Sequence, residues 1–268
     1  IQYKVSNALN NHIQNIHTNK QSPFICGLGD NIYERGCQSI DDSKFQTHFE
    51  KPYSNIPDSI PFYMCVGNHD YGNCEKGYEF IQHQIDYSNR SKKWKMPSNY
   101  YKLRKQHKGV TVDFFIIDTN LEFQPPNDIQ KQLKKLIHWI RSSNADWKIV
   151  NGHHTWRSVA GHGNADPELE EFLSTLFKKA PFDVYMCGHD HTKQVIQTKL
   201  HGKDITMIVC GTGGKKYKYN DNFDNTPDIL FSSHNLGFGI CNAKKRNLHF
   251  EFKNEDGQTE FNYKLSKI

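Results

Sequence analysis

The chain has 268 residues, 36 % of them hydrophobic, with 34 basic and 29 acidic side chains and a formal net charge of +5. That length fits one large α/β domain or two small ones, and a mean hydropathy of −0.78 implies an adequate core under a very polar surface. No apolar run approaches the ~18–20 residues that cross a bilayer, which excludes a membrane-spanning helix in this stretch.

Val5, Leu9, Ile13 and Ile16 recur at helical spacing, so a helix opens the chain. A strand is expected at Phe24–Leu28, a short helix at Phe45–Phe49, and a second strand at Pro61–Val66 after the breaks at Pro52 and Pro57. A helical stretch near Tyr78–Ile85 interrupts a polar segment. Tyr100–Leu103 and Val110–Ile117 read as adjacent strands. The clearest helix is Asp128–Arg141, with Ile129, Leu133, Leu136, Ile137 and Ile140 on one face and Asn127 as its expected N-cap. It leads into a strand at Lys148–Val150, and a helix near Pro167–Lys178 leads into one at Val184–Cys187. Five further strands follow, at Gln194–Thr198, Ile205–Cys210, Gly237–Cys241, Leu248–Phe252 and Phe261–Leu265. Alternating β and α elements thus give way to a β meander. The expected fold is α/β, a four-layer αββα sandwich of two mixed sheets in a single domain over 1–268.

Four short polar motifs follow four of the strands: Gly29-Asp30-Asn31-Ile32-Tyr33, Gly67-Asn68-His69-Asp70, Gly152-His153-His154 and Gly188-His189-Asp190-His191. Asp, Asn, His and Tyr delivered to one rim make a nitrogen and oxygen donor set suited to iron, zinc or manganese. A lone His189 would read as a core histidine, but beside Asp190 and His191 it reads as a ligand. Asp30 is the natural bridge, because one carboxylate can hold two ions. A pair of ions serves phosphoryl transfer by binding ester oxygens, supplying a hydroxide and neutralising charge. His189 and His191 lie two apart, so a bend must let both reach inward.

The positive charge, with 15 histidines uncounted, favours encounter with anions such as phosphate esters. Lys92-Lys93, Lys215-Lys216 and Lys244-Lys245-Arg246 come with no nucleic-acid-binding motif, so nucleic acid is not an expected partner. Of seven cysteines, Cys26, Cys65, Cys187 and Cys210 lie on strands and read as buried thiols. Cys37 and Cys74 follow two ligand motifs and could pair, and Asn89-Arg90-Ser91 is a glycosylation sequon.

These residues resemble the calcineurin-like metallophosphoesterases, and more closely their purple, tartrate-resistant acid phosphatases. The resemblance runs from Leu28 to the last strand and includes Phe45-Gln46-Thr47-His48-Phe49-Glu50 and Gln132-Leu133. It implies that Asp30 bridges the two metals and that Tyr33 and His191 serve a ferric ion whose phenolate ligand gives the purple colour. Asn68, His153 and His189 would hold a divalent ion, iron, zinc or manganese. His69 and His162, the latter nine residues past His153, would contact phosphate and handle the leaving-group proton. His154 receives no ligand role.

The same resemblance implies hydrolysis of phosphate monoesters by a metal-bound hydroxide, on a small molecule or a phosphoprotein, and a secreted, lysosomal or other secretory setting. Two departures stand out. The family's first strand, ending in a Gly-Asp-x-Gly motif whose Asp binds the ferric ion, is absent; its place would be just before Ile1, which is not an initiator methionine. The loop over the site is reduced to Asn120–Asn127, stiffened by Pro125-Pro126, so a more open site is expected. Rival readings on this fold are a phosphodiesterase, a protein phosphatase, or a non-enzymatic scaffold like the glideosome-associated proteins, which resemble the family but have lost ligand residues. Oligomeric state is left open.

Overall fold

The computed structural model describes residues 1–17, 23–72, 78–215 and 228–267. Its centre is a seven-stranded mixed sheet in the order β10-β8-β9-β7-β6-β5-β4. The strands are β4 (Tyr101–His107), β5 (Val110–Ile116), β6 (Trp147–Asn151), β7 (Val184–Cys187), β8 (Lys193–Leu200), β9 (Lys203–Cys210) and β10 (Ile229–Ser233). Strands β5, β6, β7 and β9 run parallel, and the outer pairings are antiparallel.

Side chains two apart along a strand share a face, and here they sort cleanly into two cores. Val112, Phe114, Ile116 and Ile149 enter one core, while Phe115, Ile117 and Val150 enter the other. The second core is closed by α3 (Pro126–Arg141) and α4 (Pro167–Lys179) through Leu136, Ile140, Leu169, Phe172, Leu173 and Leu176. Both helices start with proline, whose fixed φ suits a first turn. Asp166 caps α4 by accepting from the amides of Glu168 and Leu169. Helix α3 differs from the sequence expectation: Asn127 lies inside it, and the extended Pro125 is the cap residue, because Pro126 already presets the first turn.

The first core is closed by two small sheets. One is all parallel, β1-β2-β3, formed by β1 (Ile25–Gly27), β2 (Phe62–Met64) and β3 (Trp94–Lys95). The other is an antiparallel meander, β11 (Gly237–Lys244), β12 (Asn247–Asn254) and β13 (Thr259–Ser266). Both pack on one face of the large sheet, since Phe62 and Met64 share a core with Phe250 and Phe252. Helix α1 (Gln2–His17), a π-helical turn at Phe45–Glu50 and α2 (Tyr78–Tyr87) complete the outer layer. The αββα arrangement is the expected one, with one inner layer divided in two.

A cavity of about 880 Å³ marks that division. It is lined by β1 on one side and β11 on the other, with Val112 and Phe114 of β5 on its wall. Strands β1 and β11 are each terminal in their sheets. One end reaches Asp30, Tyr33, His189 and His191.

Strands β3 and β10 were not expected from the sequence. A two-residue strand shows no period, and β10 alternates only weakly because it is an edge strand of intermediate burial. Cys37 is a buried free thiol, and its supposed partner Cys74 lies outside the described residues. No described helix is long and apolar enough to cross a membrane.

Candidate metal centre

Four parallel strands end on the same rim: β1 before Asp30, β2 before Asn68, β6 before His153, and β7 before His189. Ligands commonly gather at the carboxyl ends of such strands. Two turns are tight. Asp30 and His189 both take left-handed backbone, with φ of 53° and 62°. This conformation is costly for residues with a Cβ and is typical of strained functional positions. The bend at His189 lets it and His191 face the same centre. Gly67 is required by close approach, because a Cβ there would strike the Asp30 backbone nitrogen and carboxylate.

The donor atoms fall into two groups that share Asp30. In the first, His153 Nε2 lies 3.1 Å from Asn68 Oδ1, 3.1 Å from His189 Nδ1 and 3.3 Å from Asp30 Oδ1. In the second, the Tyr33 hydroxyl lies 3.0 Å from Asp30 Oδ2 and 3.2 Å from His191 Nε2. Ligands bound about 2.1 Å from one ion stand roughly 3.0–3.4 Å apart in octahedral or tetrahedral arrangement. Both groups have that spacing, so the residues present fit an ion in each. His153 Nδ1 meets the Leu28 carbonyl at 2.8 Å, so it carries the proton and leaves Nε2 as the ligating nitrogen.

Electrostatics are consistent with cation binding. Burial disfavours charge on Asp30, yet neighbouring His153 and the His69 amide outweigh it and hold the carboxyl well below its usual range. Burial, then the charges of His153, His154 and His162, push His189 down, and burial and Lys215 take His191 to about 4. Both shifts favour the neutral ring that can ligate a metal.

His69 and His162 border the groups without joining them. His69 Nδ1 donates to the Glu34 carbonyl at 2.8 Å, and its ring lies 4.3 Å from that of Tyr33. His162 is exposed, with its ring 4.0 Å from that of His189. His154, given no role from sequence, also comes in: one nitrogen each from His153, His154 and His189 lie within 4.8 Å of one another.

Sequence reasoning missed the residues that hold the ligand loops. Asp70, fully buried, accepts from the amides of Asn31, Ile32 and Gly67, so it clamps the Asp30 turn to the Asn68 turn. Burial and then Asp30 push its carboxyl up to about 7, against those amides. Asp118 accepts from the Tyr71 hydroxyl at 2.5 Å, from Asn99 and from Asn120, and Gln132 of α3 bonds its backbone. Asn120 and Gln124 are buried in this network, so the short 120–127 segment braces the site from behind. Asp70 sits inside a ligand motif, its one visible signal, and Asp118 gave none.

A family model described as calcineurin-like phosphoesterase matches residues 3–193. The chain belongs to that family. Among curated relatives of this chain, purple acid phosphatase 4 of Arabidopsis thaliana is 30 % identical over 91 % of the chain and 74 % of its own length. Tartrate-resistant acid phosphatase type 5 of Oryctolagus cuniculus is 34 % identical over 71 % of the chain and 61 % of its own length. Among solved structures, GAP50, described as the anchor in the inner membrane complex of Plasmodium, superposes with a TM-score of 0.82 at 22 % identity, covering 99 % of the chain and 84 % of that protein. A purple acid phosphatase from yellow lupin seeds gives 0.74 at 19 %, covering 98 % and 49 %. The structural likenesses carry the fold alone.

Proposed function

We propose that this phosphoesterase is an acid phosphatase hydrolysing phosphate monoesters at a dinuclear site of ferric iron and a divalent ion, which is iron, zinc or manganese. The observation that carries this reading is the division of Asp30, whose two oxygens face two separate donor groups. Asn68, His153 and His189 with Asp30 would hold the divalent ion, and Tyr33 and His191 with Asp30 the ferric one. When bound, such a pair supplies a water of lowered pKa and offsets charge on the phosphoryl group. His69, whose Nδ1 donates to the Glu34 carbonyl and whose ring lies 4.3 Å from that of Tyr33, would contact an incoming phosphate oxygen. His162, on an exposed loop beside His189, protonates the leaving alcohol. A secretory or lysosomal setting and a small-molecule or phosphoprotein substrate follow from the resemblance.

The test is elemental analysis together with turnover of an aryl phosphate and its diester. Two metals per chain with monoester turnover support the proposal, and preferred diester turnover would make it a phosphodiesterase. Two metals with no turnover of either ester would favour a scaffold, a reading lent weight by the fold likeness to GAP50.

A further inference from the structure

Asn89-Arg90-Ser91 is the one Asn-x-Ser/Thr sequence in the chain, and the metal centre makes no use of it. Its residues meet opposite surroundings. Asn89 and Arg90 lie in the turn that follows α2, and both are exposed. The Asn89 backbone N–H donates to the Asp86 carbonyl at 3.0 Å, while its carboxamide makes no hydrogen bond among the described residues. Arg90 pairs with Asp41, which ties the turn down beside it.

Ser91 is only 7 % exposed. Its hydroxyl donates to Glu50 Oε1 at 2.6 Å and accepts the amides of Lys93 at 3.2 Å and Trp94 at 3.0 Å. One proton and two lone pairs are the whole capacity of a hydroxyl, so in the fold all of it is committed. Those amides lead into β3, whose fully buried Trp94 also donates from its ring to the Gln84 carbonyl of α2 at 3.0 Å. The hydroxyl is thus released only when β3 and the Glu50 turn come apart.

We infer that Asn89 is an N-glycosylation site, modified while the chain around Ser91 is still unfolded. The acceptor sequence needs both an asparagine amide and the hydroxyl two residues on. The unfolded chain offers both, and the folded chain offers the amide alone. After folding, the open position of Asn89 leaves a bulky, solvated sugar outside the packed layers. The donor is an oligosaccharide carried on a lipid diphosphate. The bond from Asn89 Nδ2 to the anomeric carbon forms, the bond from that carbon to the diphosphate oxygen breaks, and one amide proton is released as the lipid diphosphate departs. The inference rests on the secretory setting proposed above.

Expression behind a host secretory leader imposes that passage and tests the site. The intact mass of the secreted protein should show one glycan, which peptide N-glycosidase removes while converting Asn89 to aspartate. Asn89→Gln should lack the glycan, and Ser91→Thr should keep it. Protein made in the bacterial cytosol tests the order of events, with purified transferase and the lipid-linked donor. Chain refolded beforehand should be modified slower, by about ten-fold or more, than chain diluted from urea directly into the reaction, because local opening must come first. An unmodified Asn89 in the secreted wild type would overturn the site. Equal rates for the two preparations would overturn the modification of an unfolded chain. Failure of the secretory setting shows differently, as native protein in the cytosolic fraction while the leader-directed form is still glycosylated.

Discussion

The backbone N–H of His162 donates to Oδ1 of Asp190 across 2.9 Å. That bond ties an exposed loop to the residue standing between His189 and His191. The other carboxylate oxygen accepts from Ser158 Oγ at 2.5 Å, and Gln194 donates to the same hydroxyl. Asp190→Ala should leave metal content intact while loosening the His162 loop. Breaking these buried bonds is expected to cost about 1–3 kcal/mol of stability. The catalytic constant should fall at least ten-fold, and Asp190→Asn, which keeps one acceptor, should recover part of it. Calorimetry with steady-state kinetics measures both; an unchanged catalytic constant in Asp190→Ala would mean the loop is held otherwise.

Asn68→Ala and His189→Ala each remove one of the three donor atoms around His153 Nε2. Both should lose the same ion, with activity falling by orders of magnitude and the fold retained. Elemental analysis and circular dichroism are the checks. Unchanged metal in both variants would refute the assignment.

Tyr33 lies between Asp30 and His191. With ferric iron bound there, the protein should show a broad visible band that Tyr33→Phe abolishes. A colourless, iron-loaded, active wild type would exclude a phenolate ligand.

A leaving alcohol of high pKa needs a proton donor, and the imidazole of His162 is placed in that role. His162→Asn should slow esters of high-pKa alcohols far more than activated aryl esters, which need little protonation. The measurement is a leaving-group series at fixed pH, with metal content verified. An equal loss across the series would instead assign His162 to phosphate binding and leave His69 as the donor.

Lys193, two residues past His191 and with no exposed side-chain surface, pairs with Glu260 and bonds the carbonyls of Leu236 and Lys253. This joins the large sheet to the meander. Glu260→Gln should destabilise by about 3 kcal/mol, since it leaves a buried ammonium without its counter-charge. Burial resists charge on Glu260, but Lys193, Asn235 and Ser233 hold its carboxyl below the ordinary 4.5. A depressed carboxylate stabilises fully above the unfolded value and loses that contribution as pH falls through the folded one. The wild type should therefore weaken below about pH 4.5, and Glu260→Gln should flatten that part of a stability profile measured in urea.

Local chemistry alone announced much of this protein. The helical spacing of Ile129, Leu133, Leu136 and Ile140, the alternation along β5, and the glycine-punctuated Asp, Asn and His motifs are short-range patterns. They gave the elements, their order and the candidate ligands, because side-chain direction in a helix or strand follows from its period. Tertiary structure decided what depends on distant residues meeting. The separation of Asp30 into two donor groups needs Tyr33, His153 and His191, which come from three strand ends. The clamp at Asp70, the brace at Asp118 and the contact of Thr119 with His154 depend on partners distant in the chain, with Asn31 and Asp70 separated by 39 residues, Tyr71 and Asp118 by 47, and Thr119 and His154 by 35. No period encodes such a pairing. A buried polar group must find a partner, and only the folded chain fixes which one it finds.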